Sequence, residues 1–169
     1  MLAYSLTKRF TSLAHFWLGA ALMLAPVASW VAIRGVTDWA DMAPPLVLGL
    51  AVLFWVSGFD MLYACQDADF DRAAGLHSVP ARLGVRGALR AAAACHAAMF
   101  VALVAFGLVT PELGTLYFAG LAPVAALLAY QHAIVSPHDL RRVNEAFFRV
   151  NGVISFGLLA LVGVQLLVR

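Results

Sequence analysis

Long apolar runs separated by short polar gaps set the pattern of this chain. Five of them, near 13–33, 45–65, 91–109, 114–135 and 147–168, are long enough to cross about 30 Å of hydrocarbon at about 1.5 Å per residue. Open strands cannot satisfy their backbone groups in lipid, so each run predicts a helix. The expected fold is an all-α, polytopic membrane helix bundle with five transmembrane helices. Residues 1–169 form a single transmembrane domain in this reading.

Composition agrees. Apolar residues make up 63% of the chain and charged residues 12%, against about 45–50% and about 25% in soluble domains. With so little charge to wet its surface, the protein needs lipid as the solvent for much of its exterior. The opening MLAYSLTKRFTSLAH is polar for its length and lacks a cleavage site at signal-peptide spacing, so no signal peptide is expected. Cys65 and Cys95 have neither metal-type spacing nor a pairing pattern and read as small buried hydrophobes.

Position matters more than total for the basic residues. Lys8 and Arg9 precede the first span, Arg72, Arg82, Arg86 and Arg90 lie between the second and third, and Arg141, Arg142 and Arg149 lie between the fourth and fifth. Nine of the 11 Lys and Arg residues thus share one side, leaving Arg34 and Arg169 on the other. The positive-inside rule places the nine-residue side in the cytoplasm of a multi-pass inner-membrane protein. Among the acids, Asp38, Asp41 and Glu112 fall in outer connections, where water solvates them. Asp60, Asp67, Asp69 and Asp71 gather at the inner end of the second span.

Asp60 lies inside the end of the apolar run LVLGLAVLFWVSGF, where an ionised carboxylate needs a cavity, a cation or a metal. If the helix continues to about Ala74, and Asp60 is set at zero, Tyr63 falls near about 300°, Asp67 near about 340° and Asp71 near about 20°. Asp69 points the opposite way, as a solvated charge. Three like charges on one stripe repel, and a divalent cation reverses that balance. Hard oxygen ligands suit Mg²⁺ shared with substrate phosphates. The ordinary alternative is a solvated helix end whose acids pair with Arg72, Arg82 or Arg86. Gly75 suits the C-terminal cap, and Pro80 is expected to keep the helix from resuming early. His77 and Ser78 fall in the following loop, either bonding within it or touching an anion held at the carboxylates.

Asp60, Tyr63, Ala64, Asp67 and Asp71, followed by GLHSVP, resemble the second acidic signature of the UbiA superfamily of membrane aromatic prenyltransferases, Asp-x-x-Tyr-Ala-x-x-Asp-x-x-x-Asp. YSLTKRFTSLAHFWLG (Tyr4 to Gly19) is similar to the stretch before that family's fifth helix, and AFFRVNGVISF (Ala146 to Phe156) to the start of its last. GFDMLYACQDADFD leans toward the 4-hydroxybenzoate and related menaquinone-pathway enzymes. The resemblance implies helices five to nine of a nine-helix fold. The family's first acidic signature, Asn-Asp-x-x-Asp-x-x-x-Asp, has no counterpart here, so a missing N-terminal half is an expected partner.

The resemblance further implies Mg²⁺-dependent transfer of a polyprenyl group from an allylic diphosphate to an aromatic acid such as 4-hydroxybenzoate. Asp67 and Asp71 would contact Mg²⁺ and diphosphate. Asp60, deeper, would orient the acceptor or stabilise the allylic cation, and Tyr63 would offer a ring face to it. Lys8 and Arg9 resemble the family's basic pair near the diphosphate; the alternative is that they only anchor topology. Substrates and the lipid bilayer are the expected partners, with no nucleic acid.

Three other readings compete. One is a degenerate half that folds or pairs but turns nothing over. Another is a cation transporter, which would want acids near mid-membrane on more than one span. The third, a CDP-alcohol phosphotransferase, lacks its Asp-Gly-x-x-Ala-Arg signature. His96 and His132 read as hydrogen-bonded inside the bundle and His15 as interfacial. Trp17, Trp30 and Trp39 suit the membrane interfaces, Trp55 the core, and Gly152, Gly157 and Gly163 close helix packing.

Overall fold

A computed structural model describes residues 4–36 and 38–168, with side chains from Leu6 onward. Arg169 and the side chain of Tyr4 therefore lie outside the described residues. Helix α1 spans Tyr4–Thr7, α2 Ala14–Arg34, α3 Trp39–Ala64, α4 Ala68–Ala73, α5 Val79–Val109, α6 Thr115–Ala133 and α7 Asn151–Leu167. A 3₁₀ turn, Cys65–Asp67, joins α3 to α4, and a π-helical turn, Glu145–Val150, leads into α7. Among the described residues, five helical segments are long and apolar enough to span a membrane: Ala14–Arg34, Trp39–Ala73, Val79–Val109, Thr115–Ala133 and Glu145–Leu167. The all-α, five-span bundle is as the hydrophobic pattern predicts. The one extended pairing among the described residues is an isolated bridge between Ser136 and Asp139.

Two helices start earlier than their apolar runs. Asp38 caps α3 by accepting from the Asp41 N–H at 2.7 Å, so the helix begins before Pro44 and Pro45, which each forfeit a backbone bond inside it. Ser78 caps α5 by accepting from the Ala81 N–H at 3.2 Å. Pro80 does not hold this helix off, as the sequence led one to expect; it sits in its first turn, where an N–H has no partner to lose and its fixed φ suits the helix. The break comes instead at Gly84, whose φ of 70° and ψ of 167° only glycine adopts readily, and which swivels the first turn of α5 against the long remainder.

Helix α3 is the central pillar, packed most extensively against α2 on one side and α5 on the other. Two glycines permit that closeness. A Cβ on Gly19 of α2 would run into the Leu53 carbonyl and the Ser57 hydroxyl, and one on Gly58 of α3 would sit 2.6 Å from the His96 ring of α5. Gly152, Gly157 and Gly163 do not play this part, because nothing lies within 4 Å of a Cβ at any of them. Each lies on α7 with open space before it, and α7 meets the bundle chiefly through α6. Tyr117, Met99, Leu103 and Ile154 form a core shared by α5, α6 and α7, and the Tyr117 hydroxyl donates to the Leu103 carbonyl at 2.9 Å. His96 Nδ1 and His132 Nε2 lie 2.8 Å apart, a hydrogen bond that ties α5 to α6 within the apolar interior. Both cysteines are buried and unpaired as thiols.

Candidate functional site

The acidic segment does not form one unbroken helical edge. Between Ala64 and Ala68 the chain tightens into the 3₁₀ turn, which winds about 120° per residue rather than about 100°, so three residues add roughly 60° of rotation. The stripe through residues 60, 67 and 71 is therefore turned by that amount beyond Ala64, and its three carboxylates differ in exposure. Asp60 faces inward with its side chain 16% exposed, Asp71 is buried, and Asp67 is exposed. Asp69 is exposed as well and pairs locally with Arg72 at 2.9 Å. Helix α4 ends in a Schellman arrangement: the Leu76 N–H donates to the Asp71 carbonyl at 2.8 Å and the Gly75 N–H to the Arg72 carbonyl at 3.3 Å. Gly75 takes the left-handed conformation this requires, with φ of 66°.

The N-terminal residues fold over this segment and clasp it. The Lys8 ammonium donates to Asp71 Oδ2 at 3.2 Å, while the Lys8 carbonyl accepts from the His77 N–H at 2.6 Å. Arg82 donates to the Ser12 hydroxyl at 3.3 Å. His15, expected at the membrane interface, is instead fully buried. Its Nδ1 lies 2.6 Å from Asp60 Oδ2, and its Nε2 accepts from the Val79 N–H at 3.4 Å. That N–H is one of the orphan donors at the start of α5, so His15 serves as a second cap beside Ser78. Asp60 thus has its partner inside the apolar run, and it is an imidazole.

The predicted residues accordingly divide. Lys8, Asp71, Asp60 and Ser78 are held in the frame, with Ser78 fully enclosed and its hydroxyl spent on the α5 cap, so it contacts no ligand in this arrangement. Asp67, Arg9 and His77 are exposed. Among the described residues no three His, Cys, Asp or Glu side chains lie close enough to hold a metal by themselves. Mg²⁺ asks less, since one or two carboxylates plus water and substrate phosphates suffice. Asp67 and Asp71 carry oxygen donors of the kind such an ion takes, one exposed and one buried against Lys8.

An aromatic wall runs down from this polar end. Trp55, Phe59 and Tyr63 recur every fourth residue and so share one face of α3. Phe147 of the π turn packs edge-on against Phe59 at 5.2 Å between centroids and tilted against Tyr63 at 4.5 Å. The Trp55 indole N–H donates to Asn151 Oδ1 at 3.0 Å, and the Asn151 amide donates to the Phe147 carbonyl at 2.9 Å, locking the wall to α7. Beside it lies a groove of about 430 Å³ lined by Leu22, Pro26, Trp55, Phe59 and Phe147 among others, apolar over most of its surface. The sequence reads His15 only as interfacial and gives Phe147 and Asn151 no role of their own. Each matters through a partner far along the chain, which spacing along one element does not show.

The connection before α7 carries charge of another kind. Arg141 bridges Asp139 with its guanidinium at 2.8 Å, and Arg142 bridges Glu145 at 2.9 Å while donating to the Tyr130 hydroxyl at 2.7 Å. Hydrogen bonds from Arg141 hold the Asp139 carboxyl down at about 2, below the ordinary carboxylate range.

Comparison with known proteins bears on this geometry. The chain is 30% identical over 151 residues to a 4-hydroxybenzoate octaprenyltransferase of Nitrosospira multiformis, covering 89% of the chain and 50% of that relative. It is 31% identical over 169 residues to one of Xanthomonas euvesicatoria, covering 98% and 52%. The chain thus spans about half the length of the curated relatives it matches. The apo structure of a UbiA homolog from Aeropyrum pernix K1 superposes with a TM-score of 0.77 at 31% identity, covering 94% of this chain and 59% of that one. The model of the UbiA prenyltransferase family matches residues 1–165, from ahead of the Lys8 clasp to the last turn of α7. A five-span bundle that carries the acidic segment, its basic clasp and the aromatic wall, matched over that extent, belongs to the UbiA prenyltransferase family.

Proposed function

We propose that this chain works as a membrane prenyltransferase. That enzyme moves a polyprenyl group from an allylic polyprenyl diphosphate to an aromatic acid such as 4-hydroxybenzoate, in quinone biosynthesis. The observation that carries the reading is the Lys8–Asp71 pair and exposed Asp67 on the segment that continues α3, whose preceding turns carry the aromatic wall and line the apolar groove. A diphosphate with a lipid tail needs such a junction, charged at one end and greasy along its length. Relatives named for octaprenyl transfer to 4-hydroxybenzoate support the substrate class. In the bacterial inner membrane, with the basic end in the cytoplasm, the tail stays in the bilayer and the acid arrives from water.

Each residue then has a task. Asp67 and Asp71 would hold Mg²⁺, which when bound neutralises the diphosphate as it leaves. Lys8 and Arg9 add positive charge on the same side, and Lys8 also keeps the Asp71 carboxylate fixed. The allylic C–O bond breaks with its electron pair leaving on the diphosphate. The ring carbon beside the acceptor's hydroxyl then bonds the allylic carbon and loses its proton. Tyr63 presents a ring face where the cation forms, and Asp60 lies one turn deeper to orient the acceptor or stabilise that cation. His77, exposed and bonded through its N–H to the Lys8 carbonyl, would touch the departing anion.

A second reading is favoured by the half-length match and by the lack of a three-ligand cluster among the described residues. In it the chain acts only together with an N-terminal half that supplies the remaining donors. One assay decides between them: prenyl transfer in membranes from a polyprenyl diphosphate to 4-hydroxybenzoate, with the chain alone and with the N-terminal half of a relative. Product only in the combined sample selects the half-enzyme. Product in neither sample refutes both readings.

A further inference from the structure

We propose that His15 is a positioning residue for this reaction: held as the neutral Nδ1–H tautomer, it fixes the Asp60 carboxylate at the wall of the site and ties it to the start of α5. The inference rests on the function proposed above and adds a residue to it. His15 is wholly enclosed, so its ring meets no substrate. Both ring nitrogens are committed, Nδ1 to Asp60 at 2.6 Å and Nε2 to the Val79 N–H at 3.4 Å. Since a backbone N–H can only donate, Nε2 must be the bare nitrogen and Nδ1 must carry the hydrogen that Asp60 accepts. A proton added at Nε2 would face another N–H, so His15 acts as a fixed donor and not as a proton shuttle.

The mount is rigid. One turn before Asp60, the buried Ser57 hydroxyl lies 3.2 Å from the His15 carbonyl, and Gly19, one turn after His15, lets α2 close on α3. Asp60 keeps some exposure, so the carboxylate so held is not sealed away. A single segment, residues 8–15, thereby grips both Asp71 and Asp60 and sets the spacing between the diphosphate end and the deeper carboxylate.

The test is steady-state prenyl transfer to 4-hydroxybenzoate in membranes, with the chain supplied with a relative's N-terminal half. His15→Ala lowers kcat/KM for the aromatic acid by tenfold or more and leaves KM for the diphosphate within twofold, because Lys8 and Asp71 are untouched. His15→Gln, whose amide offers one donor and one acceptor, returns kcat/KM to within threefold of the parent. Adding His15→Ala to Asp60→Asn costs no more than Asp60→Asn alone. Parental turnover in His15→Ala, or equal inactivity of His15→Gln and His15→Ala with both melting like the parent, overturns the inference. Should His15→Ala fail to fold, His15→Gln still decides: within threefold of the parent it sustains the inference, and a tenfold or greater loss overturns it. A silent parent instead refutes the functional reading itself.

Discussion

The two ends of the acidic segment's partners show what separates a structural ion pair from a decorative one. Lys8–Asp71 and His15–Asp60 join residues 63 and 45 positions apart, and in each at least one member is almost fully buried. Asp139–Arg141 and Arg142–Glu145 join residues two and three apart, in a connection where the guanidiniums are 88% and 48% exposed. Contact distances are alike in the two places. The first pair fixes where α2, α3 and the start of α5 stand relative to one another. The second fixes only its own turn, and water competes for every atom in it.

If that contrast holds, damage should scale with reach and burial. The largest loss is expected from Asp67→Asn combined with Asp71→Asn, which removes both proposed Mg²⁺ contacts and the partner of Lys8. Electrostatic groups of this kind are worth about 10²-fold or more in rate, so transfer in membranes should fall by at least that factor. Full activity of the double variant would remove the acidic segment from the chemistry. Lys8→Met comes next. It strands a carboxylate whose side chain is only 3% exposed, and because the lysine itself is partly wetted the cost should be about 2 kcal/mol, the scale of a stranded buried polar group and below that of a fully buried broken pair. Thermal unfolding in detergent reads it, and restoration by Lys8→Met with Asp71→Leu would show that the stranded charge is the cause. Ser78→Ala, which removes a cap but no charge, should cost about 1 kcal/mol in the same measurement.

The same contrast explains what the sequence could and could not disclose. Five spans, the all-helical class and the Gly75 cap are local facts, written in runs and in single residues that answer to nearest neighbours. The Asp60–Asp67–Asp71 spacing was legible too, but its geometry assumed one uniform helix. Nothing in CQD announces the 3₁₀ turn that rotates Asp67 and Asp71 relative to Asp60, or the lysine that meets Asp71. Pro80 misled for a related reason. A proline bars a helix interior yet suits a first turn, and which applies depends on whether Ser78 caps. His15 carried no signal of this pairing, since an imidazole beside Ala14 takes its meaning from an aspartate 45 positions along the chain and from an amide on a third element.

The smallest effect should come from Arg141→Ala, and its smallness is the point. The pair it breaks is exposed and local, so unfolding in detergent and transfer in membranes should match the parent. The loss should be visible only at Asp139 itself. Because the folded-state carboxyl is held down from 3.8 to about 2, the pair's contribution is complete above the unfolded value and fades as pH falls through about 2. Carboxyl NMR of the parent should therefore show Asp139 titrating near that lower value. Without the guanidinium the midpoint should return toward 3.8, its ordinary value. An Arg141→Ala protein that melts as early as Lys8→Met would mean that reach and burial do not rank these pairs, and the clasp would lose its claim to be different in kind.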